Sequence, residues 1–149
     1  MCDMLGNHYF RIKQFSLAQE EFENVIEKNP LNNTIKKKLI ICYTQTNNID
    51  KALDMLTEVL NDDINTIIRT DQAEENCPCT ELISETYEKL KNDYTEKNII
   101  ILSILMLFCD VKKSYKNFKL LNKDKVDAKI NSIINIIENK ASNEIQLIN

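Results

Sequence analysis

The chain has 149 residues, 43% of them hydrophobic, which suits one domain with a real core. A net charge of −4 and a pI near 5.1 argue against a phosphate-binding face, so nucleic acid is not an expected partner. One Gly and two Pro leave too little turn chemistry for an all-β chain, which turns about every 8–12 residues, and long Ile/Leu/Lys/Glu runs predict an all-α fold.

A first helix is expected over about residues 2–12, with Lys13-Gln14-Phe15 as the turn. Ser16 opens the second helix with Gln19 three residues on, the spacing of a capping box. Ala18, Phe22, Val25 and Ile26 share one face, Glu20, Glu21, Glu23 and Glu27 fall largely on the other, and Asn29-Pro30 stops the helix. A third helix over about 33–46 points Leu39, Ile40 and Tyr43 inward; Asn47-Asn48 turns the chain into a fourth, over about 50–61.

Regularity then lapses. Residues 62–76 are polar and acidic apart from Ile64, Ile67 and Ile68, before Thr80 caps a short helix with Leu82, Ile83, Tyr87 and Leu90 on one side. The apolar run 99–109 falls short of the roughly 20 residues a bilayer crossing needs and is expected to be a buried helix. After a break at Asp110 come Ser114-x3-Phe118 and Leu121; a last helix over about 126–139 sets Ile130, Ile133, Ile134 and Ile137 on one face.

Residues 5–30 carry Leu-Gly-x2-Tyr (Leu5, Gly6, Tyr9), Ala-x3-Phe (Ala18, Phe22) and Pro30. That order resembles the tetratricopeptide repeat (TPR) signature, with Cys2 in place of its tryptophan. A shift of 34 residues puts Leu5 on Leu39, Tyr9 on Tyr43, Ala18 on Ala52, Phe22 on Leu56 and Val25 on Val59. Gly6 and Ala18 then let two antiparallel helices approach, while Tyr9, Phe22 and Val25 fill their seam. Ser114-x3-Phe118 repeats the small-x3-aromatic spacing as a degenerate third unit, displaced by an insert. The resemblance implies a single all-α domain of antiparallel helix pairs, stacked as a short right-handed superhelix: repeat 1 at 1–32, repeat 2 at 33–63, an insert with a short helix at 64–96, a degenerate pair at 97–124, and a capping helix at 125–149.

Little in the chain suggests chemistry, and the expectation is a non-enzyme without cofactors. His8 is the single histidine, beside Tyr9 on the first helix, and reads as a surface or partly packed residue. Gly6, the one glycine, lies inside a helix and makes no phosphate loop. Glu20-Glu21 and Glu74-Glu75 are adjacent residues that face apart, as on a solvated acidic surface. Cys77-Pro78-Cys79 could share a soft metal with Asp71, Glu74 and Glu75, but a structural zinc site wants about four Cys/His ligands, so Cys77 and Cys79 are only weak metal candidates. Thiols packed in the insert, or a redox or crosslinking role, are the alternatives. Cys2, Cys42 and Cys109 sit in apolar helical patterns; with five cysteines in no framework spacing and no secretory signal, a cytoplasmic protein is expected, with no membrane association.

In TPR proteins the first helices of successive repeats line a concave groove for a partner peptide or helix. Matching positions here are Asp3, Asn7, Phe10 and Arg11, then Lys37, Ile41, Thr44 and Gln45, with Ile99 and Ser103 from the third unit. Phe10 and Ile41 could equally be core. Lys37 and Arg11 would suit an acidic partner, while Lys36 and Lys38 solvate the flanks. The carboxylate clamp of TPR co-chaperones is matched at Asn7 but not at Asp3, Ile41, Ile99 and Ser103, which disfavours a chaperone tail. The expected function is therefore a protein-interaction scaffold whose partner is a protein or peptide. A metal- or redox-responsive helical protein using Cys77 and Cys79 is the alternative. Leu5 follows Met1 so closely that a place in a longer array or larger assembly is open, as is a homo-oligomer.

Overall fold

The computed structural model describes residues 3–71, 77–123 and 127–145, with the side chain of Asp3 excepted, and all regular structure in these segments is helical. The expectations on Cys2, the Asp3 side chain, Glu74, Glu75 and the start of the last helix at Val126 lie outside the described residues. In chain order the helices are α1 (Asp3–Arg11), α2 (Phe15–Lys28), α3 (Asn33–Gln45), α4 (Ile49–Asp63), α5 (Asn65–Ile68), α6 (Cys79–Asn92), α7 (Glu96–Met106), α8 (Val111–Leu121) and α9 (Ala128–Lys140).

The first four form two pairs whose turns are built alike. Lys13 ends α1 at φ 63° and Asn47 ends α3 at φ 67°, the left-handed conformation that closes a helix. The next amide then turns back in each: Gln14 N–H donates to the Tyr9 carbonyl at 2.8 Å, and Asn48 N–H to the Tyr43 carbonyl at 2.9 Å. Small residues sit at the seams. Ala18 and Ala52 are fully buried, as are Phe22 and Leu56. α2 also packs on α3, where the Tyr43 hydroxyl donates to Glu23 Oε2 at 2.7 Å; burial first, and that carboxylate second, hold the phenol above its ordinary pKa.

Side-chain caps start several helices. Asn32 Oδ1 accepts from Ile35 N–H at 3.1 Å, Thr95 Oγ1 from Asn98 N–H at 3.2 Å, and Asp110 Oδ1 from Lys113 N–H at 3.1 Å. Two expected caps do not form. α2 begins at Phe15, so Ser16 is already inside its first turn and Gln14 at the cap position offers no side-chain bond; Gln19 instead accepts from Thr46 Oγ1 on the neighbouring pair. α6 begins at Cys79, because Pro78 takes the cap position with no side-chain bond, and this puts Thr80 within the helix.

Beyond its polar first turn α7 is apolar on nearly every side, and residues 100–108 are all buried among α3, α6 and α8. Ser114, fully buried on α8, allows close approach and donates to the Ser103 carbonyl of α7 at 2.6 Å. α9 lays Ile130, Ile133, Ile134 and Ile137 against α4 and α8, with Lys129 Nζ reaching Asp54 Oδ1 of α4 at 3.1 Å. The second half of the chain therefore folds back on the first and closes over it. No helix among the described residues is long and apolar enough to cross a membrane.

Some side chains point elsewhere than expected. α6 turns Thr86 inward beside Leu82 and leaves Tyr87 45% exposed, because its buried face runs Cys79-Leu82-Thr86. Cys109 is exposed just beyond α7. In the irregular region, Ile64 and Ile67 are buried, at the cap position and within α5 respectively.

Candidate functional site

The inner face of α1 and α3 is the first place to look, and most of it is covered by the chain itself. Phe10, Lys37, Ile41 and Thr44 are 1%, 6%, 2% and 2% exposed. Cys77, Thr70 and Phe108 close over Phe10, Lys37 and Ile41, leaving about 10 Å³, room for roughly one water. α7 itself packs mainly between α6 and α8; it is Phe108, just past its end, that meets the α3 face together with Thr70 and Cys77. Phe10, Lys37 and Ile41 therefore do not line an open groove in this structure. Arg11 is exposed, and Asn7 and Gln45 are half-buried. Arg11 and Lys37 do not form an open cationic pair, since one is exposed and the other enclosed. Of the third-unit positions, Ile99 is half-buried and Ser103 fully buried.

The neighbouring lysines also differ from expectation. Lys36 is buried and ion-paired to Glu58 of α4, so it does not solvate a flank. Lys38 is half-buried, donating to Asn7 Oδ1 at 2.8 Å with its ammonium 6.0 Å from the Phe10 ring centre. The α3 backbone sets this: three consecutive lysines point about 100° apart, so Lys36 reaches Glu58 of α4, Lys38 reaches Asn7 of α1, and Lys37 lies with Cys77 and Phe108 between them.

Cys77 and Cys79 are joined as a disulfide at the start of α6, with Cys79 fully buried and Cys77 half-buried. Cys42 is a free thiol in the core, where burial pushes its pKa up to about 12 and leaves it unreactive. Among the described residues no three His, Cys, Asp or Glu side chains converge. His8 is exposed on α1.

Beyond the covered face, the α3 surface opens at its carboxyl end into a polar groove of about 440 Å³. One wall is the end of α3 and its turn, through Gln45, Thr46 and Asn47; the other is α6 and the first turn of α7. Its lining includes three buried polar side chains, Thr44, Thr86 and Asn98, and the buried Ile101. Thr44 Oγ1 donates to the Ile41 carbonyl at 2.6 Å, Thr86 Oγ1 to Leu82 at 2.7 Å, and Asn98 Nδ2 to Asp93 at 3.1 Å. Gln45 Nε2 in turn donates to Thr44 Oγ1 at 3.1 Å. The charged side chains in the lining are Lys89 and Lys97. α6 is tethered across the α1–α2 turn by Lys13, whose ammonium lies 2.7 Å from Glu85 Oε2 and 2.9 Å from Glu81 Oε2; those bonds, Glu85 foremost, raise its pKa.

Sequence reasoning reached Thr44 and Gln45 of this groove through the 34-residue alignment. It missed Thr86, Lys89, Lys97 and Asn98, which lie where that alignment lapses. The available signal for Thr86 and Asn98 was a polar residue inside an apolar face. Comparison with protein-family models, curated proteins and solved structures found no match for this chain.

Proposed function

We propose that the chain is a non-enzymatic protein-interaction scaffold of the TPR type, its helix pairs stacked as a short right-handed superhelix and its partner a protein segment. What supports the reading is the repetition of one turn: Lys13 and Asn47, 34 residues apart, share the left-handed conformation, and the same amide-to-Tyr bond follows each. The burial pattern repeats in step, from Ala18 to Ala52 and from Phe22 to Leu56. Because Thr70, Cys77 and Phe108 cover the middle of the α1 and α3 face, the partner docks where that face opens, at Gln45.

The test is a photo-reactive amino acid at Gln45, compared with one at Glu20 on the outer wall, in protein exposed to the cytosol of its own cells. A partner crosslinked from Gln45 and not from Glu20 supports the reading. Crosslinking from Glu20 alone, or from neither, counts against it.

The disulfide at Cys77 and Cys79 favours a second reading, a redox-responsive helical protein, because it sits where α6 begins. Alkylation of intact protein before and after a dithiol reductant tests it. If both thiols already alkylate in protein isolated without reductant, this second reading fails.

A further inference from the structure

The geometry points to the groove between the end of α3 and the α6–α7 corner as a binding site for an acidic peptide segment. This rests on the scaffold reading and adds the place and the chemistry of the ligand. The chain as a whole carries −4, yet no carboxylate lines this groove, while Lys89 and Lys97 do. Neighbouring cations are already matched: Lys13 by Glu81 and Glu85, and Lys91 by Glu88 at 3.0 Å. Among the described residues Lys89 and Lys97 have no ion-pair partner, so their charge is available to a ligand.

Helix ends do not cancel that charge. The carboxyl ends of α3 and α6 and the amino end of α7 meet here, and their partial charges, about half an elementary charge each and of mixed sign, are outweighed by two full lysine charges. The lining favours a peptide over a bare anion. Thr44, Thr86 and Asn98 are buried polar groups, and each spends a donor on its own helix or its start; Thr86 Oγ1 and Asn98 Oδ1 remain to accept from a peptide N–H, while Thr44 Oγ1, which already accepts from Gln45, keeps one acceptor position. Ile101 offers one apolar contact beside them. A volume of about 440 Å³ takes a few residues of an extended chain with one or two acidic side chains turned to the lysines.

The experiment uses two pools of short fluorescein-labelled peptides, one with two adjacent Glu fixed and one with Gln in their place, read by anisotropy and by amide NMR shifts of the full chain. The expected result is binding of the acidic pool alone, shifts at Gln45, Asn47, Thr86 and Lys97, and weakening as salt is raised. Lys89→Glu with Lys97→Glu should weaken it by about tenfold or more while the melting curve stays in place. Lys89→Ala with Lys97→Ala provides a milder check on the same fold. Equal binding of both pools, or shifts centred on Arg11, overturns this site while the scaffold reading stands. Failure of both pools in protein that does crosslink a partner from Gln45 overturns the peptide chemistry alone. Inorganic phosphate or acetate producing the same shifts, with the acidic pool no tighter, would make it a small-anion site and overturn the proposal.

Discussion

Gly6 of α1 lies against the ring of Phe22 of α2 so closely that a Cβ on it would stand 2.6 Å from Cε1 and 2.8 Å from Cδ1. The ring cannot swing aside, because Phe22 is fully buried and its centroid lies 6.0 Å from that of Phe10 in an edge-on contact. Gly6→Ala should therefore cost about 1–3 kcal/mol, although alanine is the better helix former by about 1 kcal/mol. The urea midpoint measures the net effect. A raised midpoint would mean that α1 stands further from α2 than described.

Ala18 and Ala52 make the same argument at the second helix of each pair. Both have no exposed surface, so Ala18→Leu and Ala52→Leu should each overpack a seam and lose about 1–3 kcal/mol in denaturant unfolding. An unchanged midpoint in both would remove the basis for treating the two pairs as one repeated unit.

Lys36 and Glu58 form an unequal pair: the lysine side chain is 8% exposed and the carboxylate 57%. Removing the partner leaves a buried ammonium with less to hold it, whereas replacing the ammonium removes the desolvation cost altogether. Glu58→Ala should thus destabilise by about 1–2 kcal/mol, while Lys36→Met should be neutral or stabilising. Thermal unfolding of the two variants separates them, and a Lys36→Met loss larger than that of Glu58→Ala would contradict this account.

How far the fold could be read in advance depended on whether a residue's partner was near in sequence. Ala18, Phe22, Ala52, Leu56 and Ser114 were placed correctly because the seam inside a helical hairpin is set by spacing along adjacent helices. Phe10, Lys37 and Ile41 were readable as inward-facing, but what they face, Cys77 and Phe108, comes from distant parts of the chain and no local pattern announces it. Lys36 misleads for the same reason, since its stem is claimed by α4 and not by its own helix. Ser16 failed as a cap because the helix starts two residues earlier, with Gln14 at the cap position, and two residues move a side chain about 200° around the helix.

Hydrogen exchange should divide the chain between α7 and α5. Amides within 101–106 lie in a helix enclosed on all sides, while α5 is four residues long and ends at an exposed Arg69. Exchange at 68–71 should exceed that at 101–106 by about two orders of magnitude or more, even though Ile67 is buried. Similar protection in both segments would show that α5 is held by more than its two core isoleucines.

Alkali should act through Tyr115. Its hydroxyl donates to Glu138 Oε2 of α9 at 2.6 Å, and this bond to a carboxylate, with burial second, raises the phenol to about 12 from an ordinary 10. The folded chain keeps this proton at a pH where the unfolded chain has begun to lose it. The stabilisation is therefore fully present below pH 10, and it is lost as pH rises from there through about 12. Tyr115→Phe deletes the bond between α8 and α9 and should cost about 1 kcal/mol at neutral pH. The gap in melting temperature between the native chain and Tyr115→Phe should hold steady up to pH 10 and then close. Glu138→Gln should leave a weaker bond and a smaller gap with a narrower alkaline window. If the gap instead widens above pH 10, the phenol is ionising more easily in the fold than outside it, and the hydrogen bond to Glu138 cannot be what joins these two helices.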